Sequence, residues 1–383
     1  MLLSQYVPST LVKLERMHDL NPTLPTFGKS CISDLVPALL ERRGQANTLL
    51  SQEIFECSAV VMLVLDGLGW YQLQQRSQLV PTLMSMQQQM ATTVAPSTTS
   101  TALTSLVTGT PPGQHGIVGY RFYVEGEIFN VLRWRIVNGD RHKRIVPSEF
   151  QTEPVFCGQR PVVVQNAEYR GSGFSKAHLG DARHRVWYTM SAIAVQVRQA
   201  LAAGEPFVYA YYEGIDKTAH AHGFDEFYDA ELVACDNLVA DVMMALPRGA
   251  ALVVTADHGL VDCAGMDVAL APEVAEQVRC QSGEARFRWL HARPGRQREL
   301  LIAASEAHSP HAWVRPRDLL IEEGIFGPEV TEAARSRLGD VALIAKDRWY
   351  FSEHADKPET KLIGRHGSMT PDEMFIPVLT YTH

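Results

Sequence analysis

The sequence lacks paired cysteines. Its six cysteines are scattered along the chain, and no Cys-x-x-Cys pair occurs among them: Cys31, Cys57, Cys157, Cys235, Cys263 and Cys280. This pattern argues against a disulfide framework and against a thiolate zinc site. It indicates reduced thiols that pack in the interior, as in a cytoplasmic protein.

Long apolar runs and an excess of basic charge are also missing. No run approaches the length of about 18 apolar residues that crosses a membrane. The first 20 residues lack the basic stretch, long apolar region and cleavage site of a secretion signal. We therefore expect a soluble, cytoplasmic protein with no membrane partner. The formal charge is −8, from 43 acidic and 35 basic residues, which excludes a basic field that coats nucleic acid.

The chain does contain enough apolar sequence for a large core, with 383 residues of which 46% are hydrophobic. Short apolar runs alternate with longer helical patterns, which is typical of an α/β protein with parallel strands. The predicted strands are Ala59–Leu65, Pro161–Val164, Pro206–Tyr212, Ala250–Thr255 and Ile376–Tyr381. The predicted helices are about Arg185–Ala203 and Phe227–Leu246.

This alternation stops at about residue 263, where charged helical segments begin. Those segments are Arg296–Ala307 and Pro316–Gly324. We interpret residues 263–338 as a cap inserted into a core made of residues 1–262 and 339–383. Val341–Ala345 and Ile376–Tyr381 are then expected to return to the core.

Polar residues that directly follow apolar strands are the first candidates for a site, because ligands of open α/β sheets bind beyond the carboxyl ends of the strands. Four segments qualify: VLDGLGW, YYEGIDKTAHAHG, VVTADHGLVD and, before the last strand, GRHGSMTPDEM. Together they supply three carboxylates and three imidazoles, namely Asp66, Asp216, His220, Asp257, His258 and His366.

The spacing within these segments favours a metal site. Asp216 and His220 are four residues apart, so a helix would place both on one face, although a solvent-exposed pair is the alternative. Gly259 permits a turn that lets Asp257 and His258 face one site. Three carboxylates and three imidazoles suit two divalent cations, with Zn²⁺ favoured and Mn²⁺ as the alternative.

A Ser/Thr cluster in the segment PSTTSTALTSLVTG supplies a candidate nucleophile. Ser97, Thr98 or Thr99 can cap the helix that follows. The N–H groups and the positive dipole end of that helix would also hold a phosphoryl group beside a hydroxyl.

With these motifs, the sequence resembles the alkaline phosphatase superfamily, and specifically its type I phosphodiesterase/nucleotide pyrophosphatase family. The matching segments, in the family's order, are LDGLG, PSTTSTALTSLVTGTPPGQHGI, EGIDKTAHAHG, TADHGL and RHGSMTPDEMFIPVL. The resemblance implies an α/β fold: a three-layer core with a mostly parallel sheet between helices, plus a small inserted α+β cap.

The resemblance also implies roles for individual residues. One metal ion would be held by Asp216, His220 and His366, and a second by Asp66, Asp257 and His258. Thr99 matches the family's nucleophile, ten residues before Gly109 and three after Pro96, and would itself contact metal. One departure is Ala102, which stands where many members carry an Asn that donates a hydrogen bond to a phosphoryl oxygen.

The expected function is therefore a two-metal hydrolase of small phosphate esters that forms a phospho-threonine intermediate, of the phosphodiesterase/nucleotide pyrophosphatase type. A phosphomonoesterase, a phosphonate hydrolase and a phosphomutase stay open as alternatives, and so does a non-catalytic metal-binding protein. Substrate contacts are not assigned. The arginines of Arg133–Arg135 can meet a phosphate or only solvent. In the stretch FRWLHAR, four residues can contact a substrate or be ordinary surface or packing residues: Arg288, Trp289, His291 and Arg293.

Overall fold

The structure is a computed structural model that describes residues 21–41, 49–137, 145–352 and 362–383. The prediction about a secretion signal concerns residues 1–20, which lie outside the described residues. The strands are β1 Ala59–Leu65, β2 Gln87–Thr92, β3 Arg121–Val124, β4 Glu127–Asn130, β5 Arg135–Val137, β6 Val162–Asn166, β7 Arg183–Trp187, β8 Phe207–Tyr212, β9 Ala250–Thr255, β10 Val261–Asp262, β11 Asp267–Val268, β12 Val278–Gly283, β13 Phe287–Ala292, β14 Ala312–Pro316, β15 Val341–Ala345, β16 Tyr350–Phe351, β17 Gly364–Arg365 and β18 Phe375–Thr382.

The α-helices cover both faces of the central sheet and part of the second one. They are α1 Leu35–Glu41, α2 Gln52–Glu56, α3 Trp70–Gln75, α4 Pro81–Ser85, α5 Thr99–Thr108, α6 Pro112–His115, α7 Pro147–Phe150, α8 Gly173–Leu179, α9 Ala192–Ala202, α10 Gly214–His222, α11 Glu226–Ala245, α12 Pro272–Ala275, α13 Gln297–His308, α14 Arg317–Glu322, α15 Glu332–Arg337 and α16 Pro371–Met374.

Seven strands form the central sheet in the order β2-β18-β9-β1-β8-β6-β7. Neighbours from β9 to β7 pair in parallel, whereas β18 is antiparallel to both β9 and β2. Strands β1 and β9 are buried at every residue, as expected of strands covered by helices on both faces. The predicted α/β class with a mostly parallel sheet is confirmed.

The register of the three middle strands brings their carboxyl ends together. Leu65, the last residue of β1, pairs with Tyr212, the last residue of β8, and Val64 pairs with Thr255 at the end of β9. The residues that follow these strands therefore lie at one edge of the sheet.

A second, four-stranded antiparallel sheet has the order β12-β13-β15-β14. Its strand β15 is Val341–Ala345, so this segment pairs in the second sheet and not in the central sheet, while Ala342 and Ile344 still pack in the main core. The segment is fully buried and wholly apolar, and such a pattern predicts a covered strand without indicating which sheet contains it. The second sheet extends past residue 338, where the predicted cap ends.

The helix predicted at about Arg185–Ala203 is also partly wrong. Strand β7 occupies Arg183–Trp187, and helix α9 begins only at Ala192. β7 pairs with β6 alone at the edge of the sheet, so several of its residues are partly exposed and its sequence carries charge. Charged edge strands are easily mistaken for the polar face of a helix.

A buried ion pair joins the two sheets. Arg286, in the hairpin between β12 and β13, donates from Nε and Nη2 to the two carboxylate oxygens of Glu373, at 2.7 and 2.9 Å. Both side chains are fully buried. Because Glu373 also accepts the Ser368 amide at 2.9 Å, this pair fixes the hairpin against the loop that follows His366.

The six cysteines all lie in described segments, and each is a free thiol. Among the helices that the structure describes, none combines the length and apolar character needed to cross a bilayer.

Candidate active site

The six predicted ligand residues lie together at the carboxyl edge of the central sheet. Asp66 follows β1, Asp257 and His258 follow β9, and His366 follows β17. Asp216 and His220 lie on α10, which starts directly after β8. The Asp216 amide donates to the Asp66 carbonyl at 3.1 Å, which ties α10 to the end of β1.

The turn after Asp66 requires glycine at residue 67. Gly67 has a φ of +79°, and a Cβ there would lie 2.7 Å from Leu260 Cδ1 and 3.0 Å from the Asp216 backbone. The Gly67 amide donates to Asp257 Oδ1 at 3.0 Å. The DGLG segment thus lets β1 and β9 present their carboxylates to α10 at close range.

Asp216, His220 and His366 form the first candidate metal group, with one ligand atom from each within 4.8 Å of the others. His220 Nε2 lies 3.3 Å from Asp216 Oδ2, and His366 Nε2 lies 3.7 Å from Asp216 Oδ1. The spacing of four residues on a helix therefore has the geometric result that the sequence predicts.

The second candidate group contains Asp66, His258 and again Asp216. His258 Nε2 lies 3.6 Å from Asp66 Oδ1 and 3.3 Å from Asp257 Oδ2. Asp257 Oδ1 accepts the amides of Gly67 and His258, which leaves Oδ2 to face the group. Asp216 thus lies between the two groups, a bridging position that the sequence did not indicate.

The three imidazole rings are oriented by hydrogen bonds at Nδ1, which leaves Nε2 directed into the site. Each Nδ1 lies at hydrogen-bond distance from a backbone carbonyl: His220 at 2.6 Å from Gly364, His258 at 3.1 Å from Gly259, and His366 at 2.9 Å from Ser97. Since a carbonyl only accepts, each Nδ1 carries the proton and donates it. In the neutral ring the Nε2 lone pair then faces a carboxylate, and two acceptors stand opposite each other.

One oxygen of each aspartate in the site also lacks a hydrogen-bond donor. Within the described segments, Asp66 Oδ1, Asp216 Oδ1 and Asp257 Oδ2 are buried atoms without a hydrogen-bond partner. Lone pairs of nitrogen and oxygen that converge without a donor fit divalent cations, so these residues suit the expected metal ions.

Burial dominates the protonation equilibria of the site. It raises the pKa of Asp66 well above its usual value, with the charges of Asp257 and Asp216 adding to the effect. Burial likewise raises the pKa of Asp257 and lowers that of His366 well below its usual value, the latter with a contribution from His258. Bound cations would favour the ionised carboxylates and the neutral imidazole.

Thr99 is the first residue of α5, and its Oγ1 lies 3.2 Å from His258 Nε2. The side chain of Thr98, which precedes the helix, makes no capping hydrogen bond. The N–H groups of the first turn therefore have no side-chain cap and face the edge where Thr99 lies. Ala102 is fully buried in the same helix.

Two cavities meet at Thr99 and Asp216. The first, of about 300 Å³, has walls that include Leu103, Tyr169, Phe174 and Tyr209, and we call it the aromatic cavity. The second, of about 440 Å³, is lined by three arginines, Arg121, Arg133 and Arg365, and we call it the arginine cavity.

The sequence also offered candidate substrate contacts in two other segments, and the structure separates them. Arg288, Trp289 and His291 are buried in β13, where Arg288 Nη2 donates to the Phe351 carbonyl at 2.8 Å. They line neither cavity, so packing is the better interpretation. Arg133 lines the arginine cavity, whereas Arg135 does not.

Sequence reasoning missed two residues that contact the site. Tyr211 lies in the apolar strand β8, a position typical of a core residue, yet its hydroxyl donates to Asp66 Oδ2. Glu284 lies in the β12–β13 hairpin and lines the arginine cavity with Thr99. Only the three-dimensional packing of the second sheet against the core places Glu284 there.

We expect Tyr211→Phe to weaken binding of the ion beside Asp66 by about 10- to 100-fold, because a ligating carboxylate is oriented by the hydrogen bonds it accepts. Calorimetric titration of the metal-free protein with Zn²⁺ measures this directly. The matched control is Tyr209→Phe, since the Tyr209 hydroxyl is also buried in β8 but has no hydrogen-bond partner in the described part of the chain. Equal affinities for both variants would contradict the role given to Tyr211.

Comparisons with known proteins show to which family the chain is related. Residues 60–369 match the model of a protein family described as type I phosphodiesterase/nucleotide pyrophosphatase. Comparison with curated protein sequences gives no significant match.

Solved structures show the same fold. Mouse ectonucleotide pyrophosphatase/phosphodiesterase 5 matches with a TM-score of 0.64 at 18% identity, over 85% of this chain and 88% of its own. Its human counterpart has the same score and identity, with 84% and 87% coverage. Phosphonoacetate hydrolase from Sinorhizobium meliloti, in complex with phosphonoacetate, matches with a TM-score of 0.60 at 18% identity, covering 85% of this chain and 90% of its own.

These likenesses confirm the alkaline-phosphatase-like fold expected from the motifs. The family model covers most of the chain, including all six ligand-type residues and Thr99. The chain belongs to the type I phosphodiesterase/nucleotide pyrophosphatase family, a family of phosphoester hydrolases.

Proposed function

We propose that the protein is a two-metal phosphodiesterase that acts through a covalent phospho-threonine on Thr99. The observation that carries this proposal is the convergence of three imidazole Nε2 atoms and three carboxylates beside the Thr99 hydroxyl, with every Nδ1 occupied by a backbone carbonyl. Such an arrangement serves cation binding next to a nucleophile.

One ion would be held by Asp216, His220 and His366. The other would be held by Asp66, Asp257 and His258, with Asp216 near both. The mixed nitrogen and oxygen donors favour Zn²⁺, with Mn²⁺ as the alternative. When bound, such ions supply positive charge that lowers the pKa of a hydroxyl and stabilises a leaving oxygen.

The chain's own residues then account for the chemistry. The Thr99 hydroxyl loses its proton to solvent and Oγ1 attacks phosphorus; an oxygen–phosphorus bond forms, and the bond to the leaving oxygen breaks, so that the leaving group departs as an alkoxide that takes a proton from water. Water later attacks the same phosphorus and releases Thr99. The uncapped N–H groups at the start of α5 donate to phosphoryl oxygens, and they take the place of the family Asn that Ala102 replaces here.

The two cavities support a diester rather than a monoester as substrate. Both are lined by Thr99 and Asp216, so a phosphoryl group at Thr99 has room for a substituent on each side. The inactive form of the mouse relative carries a threonine-to-alanine substitution and is in complex with AMP, which makes a nucleotide a reasonable candidate for one side. The cytoplasmic location stays a prediction of the sequence.

The test is metal analysis followed by hydrolysis of bis-p-nitrophenyl phosphate, p-nitrophenyl phosphate and a phosphonate, with Zn²⁺ or Mn²⁺ restored. The proposal predicts that the diester has the highest kcat/KM. A preference for the monoester or the phosphonate would favour the phosphomonoesterase or phosphonate hydrolase alternative, and transfer to an added alcohol would indicate a phosphomutase. No hydrolysis of any ester with either metal would leave a non-catalytic metal-binding protein.

A further inference from the structure

We propose that the buried pair of Arg286 and Glu373 positions two metal-ligand loops of the active site relative to each other. These loops carry His258 and His366, which belong to different candidate metal groups, so the inference rests on the proposed function. Neither member of the pair belongs to these groups, and neither lines the aromatic cavity or the arginine cavity. The pair therefore acts through the loops that it holds.

Glu373 is connected to the ligand loops of both groups. Its side chain accepts the Ser368 amide at 2.9 Å, and Ser368 lies two residues after His366. Its backbone carbonyl accepts the Gly259 amide at 2.9 Å, and Gly259 directly follows His258. One buried residue of helix α16 thus holds one ligand loop with its side chain and the other with its backbone.

Arg286 fixes the Glu373 carboxylate in one orientation. The two side chains meet through two parallel hydrogen bonds, which restrict rotation of the carboxylate more than a single bond does. The guanidinium is itself anchored, since Nη2 also donates to the Asp347 carbonyl at 2.8 Å and Nη1 donates to the Trp349 carbonyl. The Arg286 carbonyl accepts the Ala345 amide of β15 at 2.9 Å. The second sheet thereby supports the carboxylate that holds the ligand loops.

The His366 loop in turn holds the turn that precedes the nucleophile. His366 Nδ1 donates to the Ser97 carbonyl at 2.9 Å, and Ser97 Oγ donates to the Ser368 carbonyl at 2.6 Å. The Gly367 amide donates to Ser97 Oγ at 3.2 Å. Because Ser97 lies two residues before Thr99, a shift of the His366 loop would displace a metal ligand and the attacking hydroxyl together.

The chemistry of the pair favours a positioning role over stabilisation alone. Two charges without solvent contact lose their hydration, and apolar side chains often replace a buried ion pair without loss of stability. An apolar pair, however, offers no acceptor to the Ser368 amide. The Glu373 carboxylate thus has a role besides neutralising Arg286, since it also accepts from the active-site loop.

Glu373→Gln in the full chain tests this role, because it removes the charge and changes the shape of the side chain little. Arg286 then has no counter-charge, and the two-point contact that orients the side chain at residue 373 is lost. We expect the affinity for the ion of the first candidate metal group to fall about tenfold or more, the usual contribution of residues that support metal ligands. Calorimetric titration of the metal-free protein with Zn²⁺ measures this affinity.

Kinetics at saturating Zn²⁺ give a second measure of the same variant. We expect kcat for bis-p-nitrophenyl phosphate to fall about tenfold or more, because a small misplacement of the reacting groups slows attack. KM should change much less, since the substitution alters no side chain that lines either cavity.

Arg286→Lys keeps both charges and is the second variant. An ammonium cannot make the paired hydrogen bonds of a guanidinium, so we expect about a fivefold loss in affinity and kcat, the equivalent of one hydrogen bond. Asp236→Asn is the matched control, because Asp236 is a buried carboxylate that accepts the amides of Thr82 and Leu83 at 3.1 and 2.8 Å. It lines neither cavity, so this control should lower the unfolding temperature and leave Zn²⁺ affinity and kcat unchanged.

The outcomes separate a positioning role from a purely structural one. If Glu373→Gln and Arg286→Lys lower only the unfolding temperature, as the control does, the inference is overturned. Should Glu373→Gln fail to fold, Arg286→Lys decides by the same two measurements. An unmodified protein that binds Zn²⁺ but hydrolyses no diester overturns the proposed function instead, and the titration then still shows whether the pair positions the ligands.

Discussion

Thr99→Ala is expected to lower phosphodiester turnover by about 10³-fold or more, while both metal ions stay bound by the six carboxylate and imidazole side chains. The substitution removes the only atom that forms the covalent intermediate, and loss of a nucleophile is among the largest single effects in enzymes. The first-turn N–H groups and the ligand side chains stay in place, so substrate and metal still bind. The measurement is kcat on bis-p-nitrophenyl phosphate together with metal content.

Two control variants distinguish loss of the nucleophile from a general effect of substitution in α5. Thr99→Ser keeps a hydroxyl at the same position and should recover much of the activity. Thr101→Ala removes a hydroxyl that is fully buried in the same helix, and it should have a far smaller effect. Near-normal activity of Thr99→Ala would refute the assignment and make Thr98 or Thr101 the next candidate nucleophile.

Asp216→Asn is expected to reduce the affinity for both metal ions, whereas His220→Ala reduces it for one. Asp216 Oδ2 lies 3.3 Å from His220 Nε2, its Oδ1 lies 3.7 Å from His366 Nε2, and it belongs to both candidate groups. An amide offers one weak acceptor where a carboxylate offers two charged oxygens, so both ions lose a ligand. Activity should fall by about 10²-fold or more, since the ions supply the positive charge at the leaving oxygen.

His222→Gln is the matched control for this pair of variants. His222 lies on the same helix as Asp216 and His220, but its ring stacks on Phe227 at 4.1 Å, away from the groups. We expect the His222→Gln protein to bind both ions with the affinity of the unmodified protein. Loss of only one ion in Asp216→Asn would show that this carboxylate does not bridge, and that the ligand sets are those expected from the motifs alone.

The site was more predictable from the sequence than the architecture around it. Asp66, Asp257 and His258 follow strands whose apolar runs are unmistakable, and parallel strands end at one edge by geometry. The bridging position of Asp216 depends on how α10 packs against the turn at Gly67, a contact between distant segments that no local pattern encodes.

The other differences between sequence-based expectation and structure also arise from contacts between distant segments. Val341–Ala345 has the composition of a core strand, and only its pairing with β13 and β14 shows that it belongs to the second sheet. Tyr211 is an ordinary residue of an apolar strand until its hydroxyl meets Asp66. Glu284 acquires a place in the site because the Arg286–Glu373 pair fixes its hairpin against the core.

The stereochemical course at phosphorus tests the central claim most directly. A diester made chiral by sulfur and an oxygen isotope is hydrolysed by the metal-loaded protein, and the configuration of the product is determined. Attack by Thr99 followed by attack of water comprises two in-line displacements, each of which inverts the configuration, so overall retention is expected. Overall inversion would mean that water attacks the substrate in a single step, and it would contradict a covalent intermediate on Thr99.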